Sequence, residues 1–155
     1  MLTFSAHCAR PLTYLGIFKG LAATVGITIY KGTRPASANA FITDFTALYS
    51  STNSVDMLTH YVGAAFSHAY NQSVCAISAS PTPVAALRAG TATWGIIWTT
   101  NVLAASLSTT LPSSDFMLVD VTEFGAGGII TYDNPVFAAG ELKSIGTCHI
   151  TGIIP

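Results

Sequence analysis

The sequence predicts an all-β fold, a β-sandwich or jelly-roll-like domain with a short N-terminal helix. Three observations predict it. Short runs rich in Val, Ile, Thr and Trp recur between Gly, Pro, Asn and Ser turns. Within GITIYK (26–31) and TATWGIIWTT (91–100) the apolar positions alternate with period two. The 155 residues show no repeat and no linker, and a chain of that length buries a core without disulfides or a metal, so residues 1–155 read as one domain.

The elements follow in chain order. Residues 11–24, PLTYLGIFKGLAAT, set Leu12, Leu15, Ile17, Phe18, Leu21 and Ala22 near one helical face. Pro11 suits the start of that helix and Gly26 its stop, although Gly16 and Gly20 each cost about 1 kcal/mol relative to Ala. The helix and its arm occupy about 1–25. GITIYK is the first strand. ITDFTALYSS fits a strand or a short helix, and DMLTHYVGAAFSHAYNQ fits a helix. SVCAIS (73–78) is a short apolar strand, and PVAALRAG an edge strand, since Pro83 cannot donate to a ladder. TATWGIIWTT, FMLVDVT (116–122), GGIITYD (127–133) and SIGTCHITGII (144–154) complete the strands.

Composition narrows the partners. Six basic residues face seven acidic ones, a net charge of -1. That balance offers no cationic surface for phosphates and argues against nucleic acid. Only 8% of residues are charged, against about 25% in an ordinary soluble domain. No Asp, Glu, Lys or Arg lies between Asp56 and Arg88, or between Arg88 and Asp115. A spanning helix needs about 20 predominantly apolar residues, and Thr, Ser, Asn, His and Pro interrupt both stretches. No membrane span is expected; a surface covered by other subunits is. The N-terminus lacks a basic start, and Arg10, Pro11 and Lys19 break its apolar run, which makes a poor secretory signal. Cys8, Cys75 and Cys148 form an odd set with no close pair, in keeping with cytosolic synthesis.

The reactive residue types do not assemble into a motif. His7–Cys8 and Cys148–His149 are adjacent pairs. Zinc sites use spacings that present two ligands from one turn, and adjacent strand residues face opposite ways. His60 and His68, eight apart, read as two partly exposed polar positions. Asp115, Asp120 and Glu123 lie near one strand, where an acid–base pair is conceivable and solvated positions are the default. No Gly-x-Ser-x-Gly elbow and no phosphate loop occurs, and GAGG (125–128) reads as a turn. Asn71-Gln72-Ser73 matches a glycosylation acceptor, but nothing implies secretion. Trp94 and Trp98 share a strand face and read as core; exposed, they would stack on a sugar or a partner. No catalytic, cofactor or metal residue is therefore expected, and no enzyme.

The order of features carries one resemblance. ITIYKGTRPASANA supplies Ile29, Tyr30, Gly32, Thr33, Pro35 and Ala36. RAGTATW supplies Gly90, Thr91, Ala92 and Trp94, and AAGE supplies Ala139, Gly140 and Glu141. In this order the chain resembles a group of tailed-bacteriophage virion structural proteins; residues 41–80 match nothing in it.

The resemblance implies a particle component that works by burying interface. The expected protein is a capsid decoration or cement protein on the capsid surface of the virion, made in the bacterial host cytoplasm. Its partners are the major capsid protein and copies of itself, as a homotrimer, with no small-molecule substrate. The interface is expected at Tyr30, Arg34, Pro35, Trp94 and Trp98, with Arg34 pairing across a subunit contact. A neck, tail or baseplate component is the second role. A carbohydrate-binding module, stacking Trp94, Trp98 or Tyr70 on host glycans, is the alternative from another class.

Overall fold

A computed structural model describes residues 3–4, 24–68, 74–79 and 83–151. The expected helix over 11–24 lies outside them except for its last residue. The described chain is rich in β-sheet. Its strands are β1 (Thr3–Phe4), β2 (Val25–Lys31), β3 (Met57–His68), β4 (Val74–Ala79), β5 (Gly90–Trp98), β6 (Phe116–Glu123), β7 (Ile130–Tyr132), β8 (Val136–Phe137) and β9 (Thr147–Thr151). One short α-helix, α1 (Ala38–Asp44), continues into a π-helical turn, Phe45–Tyr49.

The strands belong to one curled sheet. Antiparallel pairings run β5–β2–β3–β4–β9–β7, and β7 lies parallel to β6. β6 pairs in turn with β5, so the ladder returns to its start. β1 adds to β6 and β8 to β5 as two-residue strands. The parallel step is made by a short loop, 124–129, where such a connection ordinarily takes a dozen residues or more. GAGG makes it possible. Gly125 and Gly127 adopt φ of +88° and +86°, which other residues rarely take. Gly128 passes so close to Thr122 that a Cβ there would meet its Oγ1 at 2.6 Å.

Apolar layers lie on both faces of β2, β5 and β6. Inside the curl, Val25, Ile27, Ile29, Ile97, Met117, Val119 and Val121 pack with Tyr61, Ile130, Tyr132 and Cys148. On the other face, Tyr30, Trp94, Trp98, Phe116 and Leu118 pack under α1 and its π turn. A sheet buried on both faces needs near-continuous apolar strands, which is how FMLV and WGIIW read. Ser37 starts α1 by accepting the Ala40 N–H on its side chain at 3.1 Å. The helix then projects Phe41, Phe45 and Tyr49 four residues apart, down onto the sheet. Phe41 and Phe45, both fully buried, each contribute about 1.5–3 kcal/mol by leaving water.

Two expectations are corrected. DMLTHYVGAAFSHAYNQ is not helical over its described residues: Met57–His68 form β3. Register shifts against β2 place its interior residues Leu58, Tyr61 and Ala64 three apart, a spacing that imitates a helix. The last residue of PVAALRAG, Gly90, already belongs to β5, and the rest forms no edge strand: Ala85 alone bridges, to Leu142. Its neighbours split their bonds, Ala86 N–H to Glu141 O and Leu87 N–H to Leu58 O, so no continuous ladder develops. ITDFTALYSS, open between strand and helix, is α1 and the π turn.

Candidate functional site

The four basic residues among the described ones serve the same end of the sheet. Lys31, at the end of β2, donates to Ala89 O at 3.2 Å. Arg88 donates from Nη1 to Met57 O at 2.9 Å. Lys143 donates to Asn134 O at 2.9 Å and also to Val136 O, and its Nζ lies 4.7 Å from the centre of the Phe137 ring. Arg34 pairs with Asp120 at 3.4 Å. A chain with few charges thus directs them mainly at its own backbone carbonyls. Lys31 and Arg88 fasten the 83–89 loop to the ends of β2 and β3, Lys143 ties the 133–143 segment to itself, and backbone pairing of that segment with β5 anchors it.

The three segments that carry the resemblance converge at this corner. Thr93 donates its hydroxyl to Gly32 O at 2.6 Å, and the Trp94 indole donates to Lys31 O at 3.2 Å. Thr91 pairs with Val136 across β5 and β8. Gly140 N–H reaches Ala86 O at 2.7 Å. Glu141 closes the turn by accepting the Ala138 N–H at 2.8 Å, and that bond, with Lys143 beside it at 3.4 Å, holds its carboxyl below its ordinary pKa.

The fastened loops present apolar side chains to solvent. Leu142 is 67% exposed, Leu87 55%, Val136 52% and Val84 44%. Ala85 and Leu142 are opposed in an antiparallel bridge and both exposed, so they face outward together. Sequence reading missed these four residues. The available signal was leucine and valine inside Pro- and Gly-bounded loops that carry almost no charge.

The residues expected to form the interface are differently placed. Tyr30 and Trp98 are wholly buried, Trp94 is 1% exposed and Pro35 is buried. Tyr30, Trp94 and Trp98 form the layer beneath α1, because aromatic residues on that strand face have a helix to cover them. Arg34 is half-buried and pairs with Asp120 of its own chain, where a contact across subunits was expected. Sugar stacking on Trp94 and Trp98 is excluded in this conformation; Tyr70 lies outside the described residues.

The remaining reactive groups stay apart. On β6, Asp120 shares a face with Phe116 and Leu118, while Glu123 falls on the opposite alternation. Cys148 is buried and His149 exposed, as adjacent strand positions require. His60 is buried, where a partly exposed position was expected. Among the described residues no group of three or more His, Cys, Asp and Glu could hold a metal ion. No helix among them is long and apolar enough to cross a membrane. No family model matches the chain, and neither does any curated protein or solved structure.

Proposed function

We propose that this chain is a bacteriophage virion structural protein, a capsid decoration or cement protein that binds and stabilises the major capsid protein shell. The observation that carries the reading is the corner: loops fastened by the chain's scarce cations expose Leu87, Leu142, Val136 and Val84. A rigid apolar surface loses little conformational freedom on docking, and apolar surface at the centre of an interface is what stable subunit contacts bury. The low charge of the whole chain supports the same reading, since surface covered by neighbours needs no charge to stay dispersed. Within this proposal the curled sheet is a sandwich or jelly-roll relative, supported by its two apolar layers. The working unit is a homo-oligomer.

The test is cryo-EM of purified virions of the phage that encodes the chain, with heating of capsids that carry or lack the protein. Density on the shell, with the 83–89 and 133–143 loops against capsid subunits, and a higher capsid disruption temperature are expected. Density confined to neck, tail or baseplate would replace the capsid role with the second one. Absence from the particle would remove the reading.

A further inference from the structure

A chain of hydrogen bonds crosses the fold far from the corner. His60, on β3, is 8% exposed. Its Nε2 lies 2.8 Å from Val102 O and its Nδ1 2.8 Å from Thr28 Oγ1. Thr28 Oγ1 also lies 2.9 Å from the Trp98 indole nitrogen. Chemistry fixes the direction of every bond. A carbonyl only accepts, so Nε2 carries the hydrogen and donates to Val102. An indole N–H only donates, so Thr28 accepts from Trp98 and spends its own hydrogen on Nδ1. The neutral Nε2–H tautomer alone satisfies all four groups.

The bond to Val102 also holds a stretch of chain. Residues 100–103 follow β5 and pass over the end of β2, where Gly26 N–H donates to Thr100 O at 3.1 Å. The approach is tight: a Cβ on Gly26 would sit 2.8 Å from Val102 O and 3.2 Å from His60 Cε1. Asn101 accepts the Gly63 N–H at 2.8 Å. Val102, 6% exposed, belongs to the aromatic layer with Trp98, Phe116 and Leu107.

We propose that His60 is a proton-sensitive latch: its neutral ring holds residues 100–103 against the sheet, and a proton arriving at Nδ1 releases them. Protonation turns Nδ1 from acceptor to donor. Thr28 then receives two hydrogens, from Trp98 and His60, and its own hydroxyl hydrogen loses its acceptor inside a fully buried site. An unsatisfied buried donor beside a buried cation is relieved by letting water reach the ring, which means lifting residues 100–103. β2 presents Gly26 and Thr28 to the ring, β5 presents Trp98 and the following stretch presents Val102; none of these side chains titrates or carries charge to stabilise an imidazolium. Burial accordingly lowers the His60 pKa, with the Val102 carbonyl opposing in part.

The test is amide hydrogen exchange on the whole chain at pH 7.5 and pH 5, expressed as protection factors. The Gly26 and Gly63 amides report the stretch directly, through their bonds to Thr100 and Asn101. At least a tenfold loss of protection at these two amides is expected at pH 5, with the interior amides of β5 and β6 unchanged. His60→Gln supplies an amide N–H for Val102 and an oxygen for Thr28 but takes up no proton, so its protection should not depend on pH. Equal protection at both pH values in the native chain would overturn the latch, as would an equal loss in the Gln variant. Should the variant fail to fold, the His60 Cε1–H resonance decides. Titration below the ordinary histidine value, in step with the loss of protection, supports the latch; titration at or above that value, or without any loss, refutes it.

Discussion

Tyr30 and Trp94 stand directly opposite each other across β2 and β5, their rings stacked 4.2 Å apart and within 6° of parallel. The edge of Tyr49 closes on both rings, and the Tyr30 hydroxyl donates to Tyr49 O at 2.8 Å. Two strands and the π turn are therefore joined through a single stack. Trp94→Ala should destabilise the fold by about 3–5 kcal/mol, the cost of deleting a buried large aromatic ring. Urea unfolding followed by far-UV circular dichroism measures it. A loss below about 1 kcal/mol would show that the stack does not join these elements.

Buried tyrosines give the fold an alkaline limit. Burial raises the pKa of Tyr61 to about 12 and raises Tyr30 and Tyr132 as well. Their folded values lie above the unfolded value near 10. The stability they hold is complete below about pH 10 and is lost as pH climbs through the folded values, because the unfolded chain gives up protons first. In a titration at 295 nm, Tyr30, Tyr61 and Tyr132 should remain protonated past pH 10.5, and their tyrosinate absorbance should appear together with unfolding. Smooth ionisation of every tyrosine near pH 10 would contradict the burial.

The loop between β6 and β7 has no room for a side chain at Gly128. A methyl group there would meet Thr122 Oγ1, Cγ2 and Cβ at 2.6–3.1 Å. Gly128→Ala should cost about 1–3 kcal/mol, the usual penalty of overpacking. It should first loosen the parallel pairing of Val121–Glu123 with Ile130–Tyr132. Amide exchange in β7 would show this, and pairing unchanged from the native chain would count against the tight approach.

At the corner, stability and binding should separate. Leu142→Asp and Leu87→Asp alter exposed positions and should leave the unfolding midpoint within about 0.5 kcal/mol of the native chain. Each should abolish co-sedimentation with capsids. Arg88→Met removes the donor to Met57 O and should cost about 1 kcal/mol in a half-exposed setting. Full capsid binding by both Asp variants would exclude the corner as the docking surface.

Strands with clear alternation or dense β-branching are legible in the residues themselves. β2, β5, β6 and the glycine turn after β6 lie where GITIYK, TATWGIIWTT, FMLVDVT and GAGG place them. β3 is not legible in this way, because its register shifts respace its buried residues toward helical intervals. The burial of Trp94 and Trp98 follows from their type, but α1 as their cover does not, since ITDFTALYSS is too short to show its period. The corner is hidden for a different reason. Its residues come from loops distant in sequence, and the bonds of Lys31, Arg88 and Lys143 to backbone carbonyls leave no trace in residue pairing. His60 gives no signal of its depth, because a lone histidine has the same appearance in sequence whether buried or exposed.

The returning ladder has a consequence for synthesis. β9 lies between β4 and β7, and its pairing closes the curl of a sheet whose two sides already meet at β2 and β5. Until Thr147–Thr151 leaves the ribosome, β4 and β7 both present unpaired backbone, in a nascent chain with almost no charge to keep it from its neighbours. Closure of the sheet must therefore wait for the last of the described strands to be made. Yield should depend on how long that wait lasts, so slower translation of residues 133–146 would favour aggregation over folded protein.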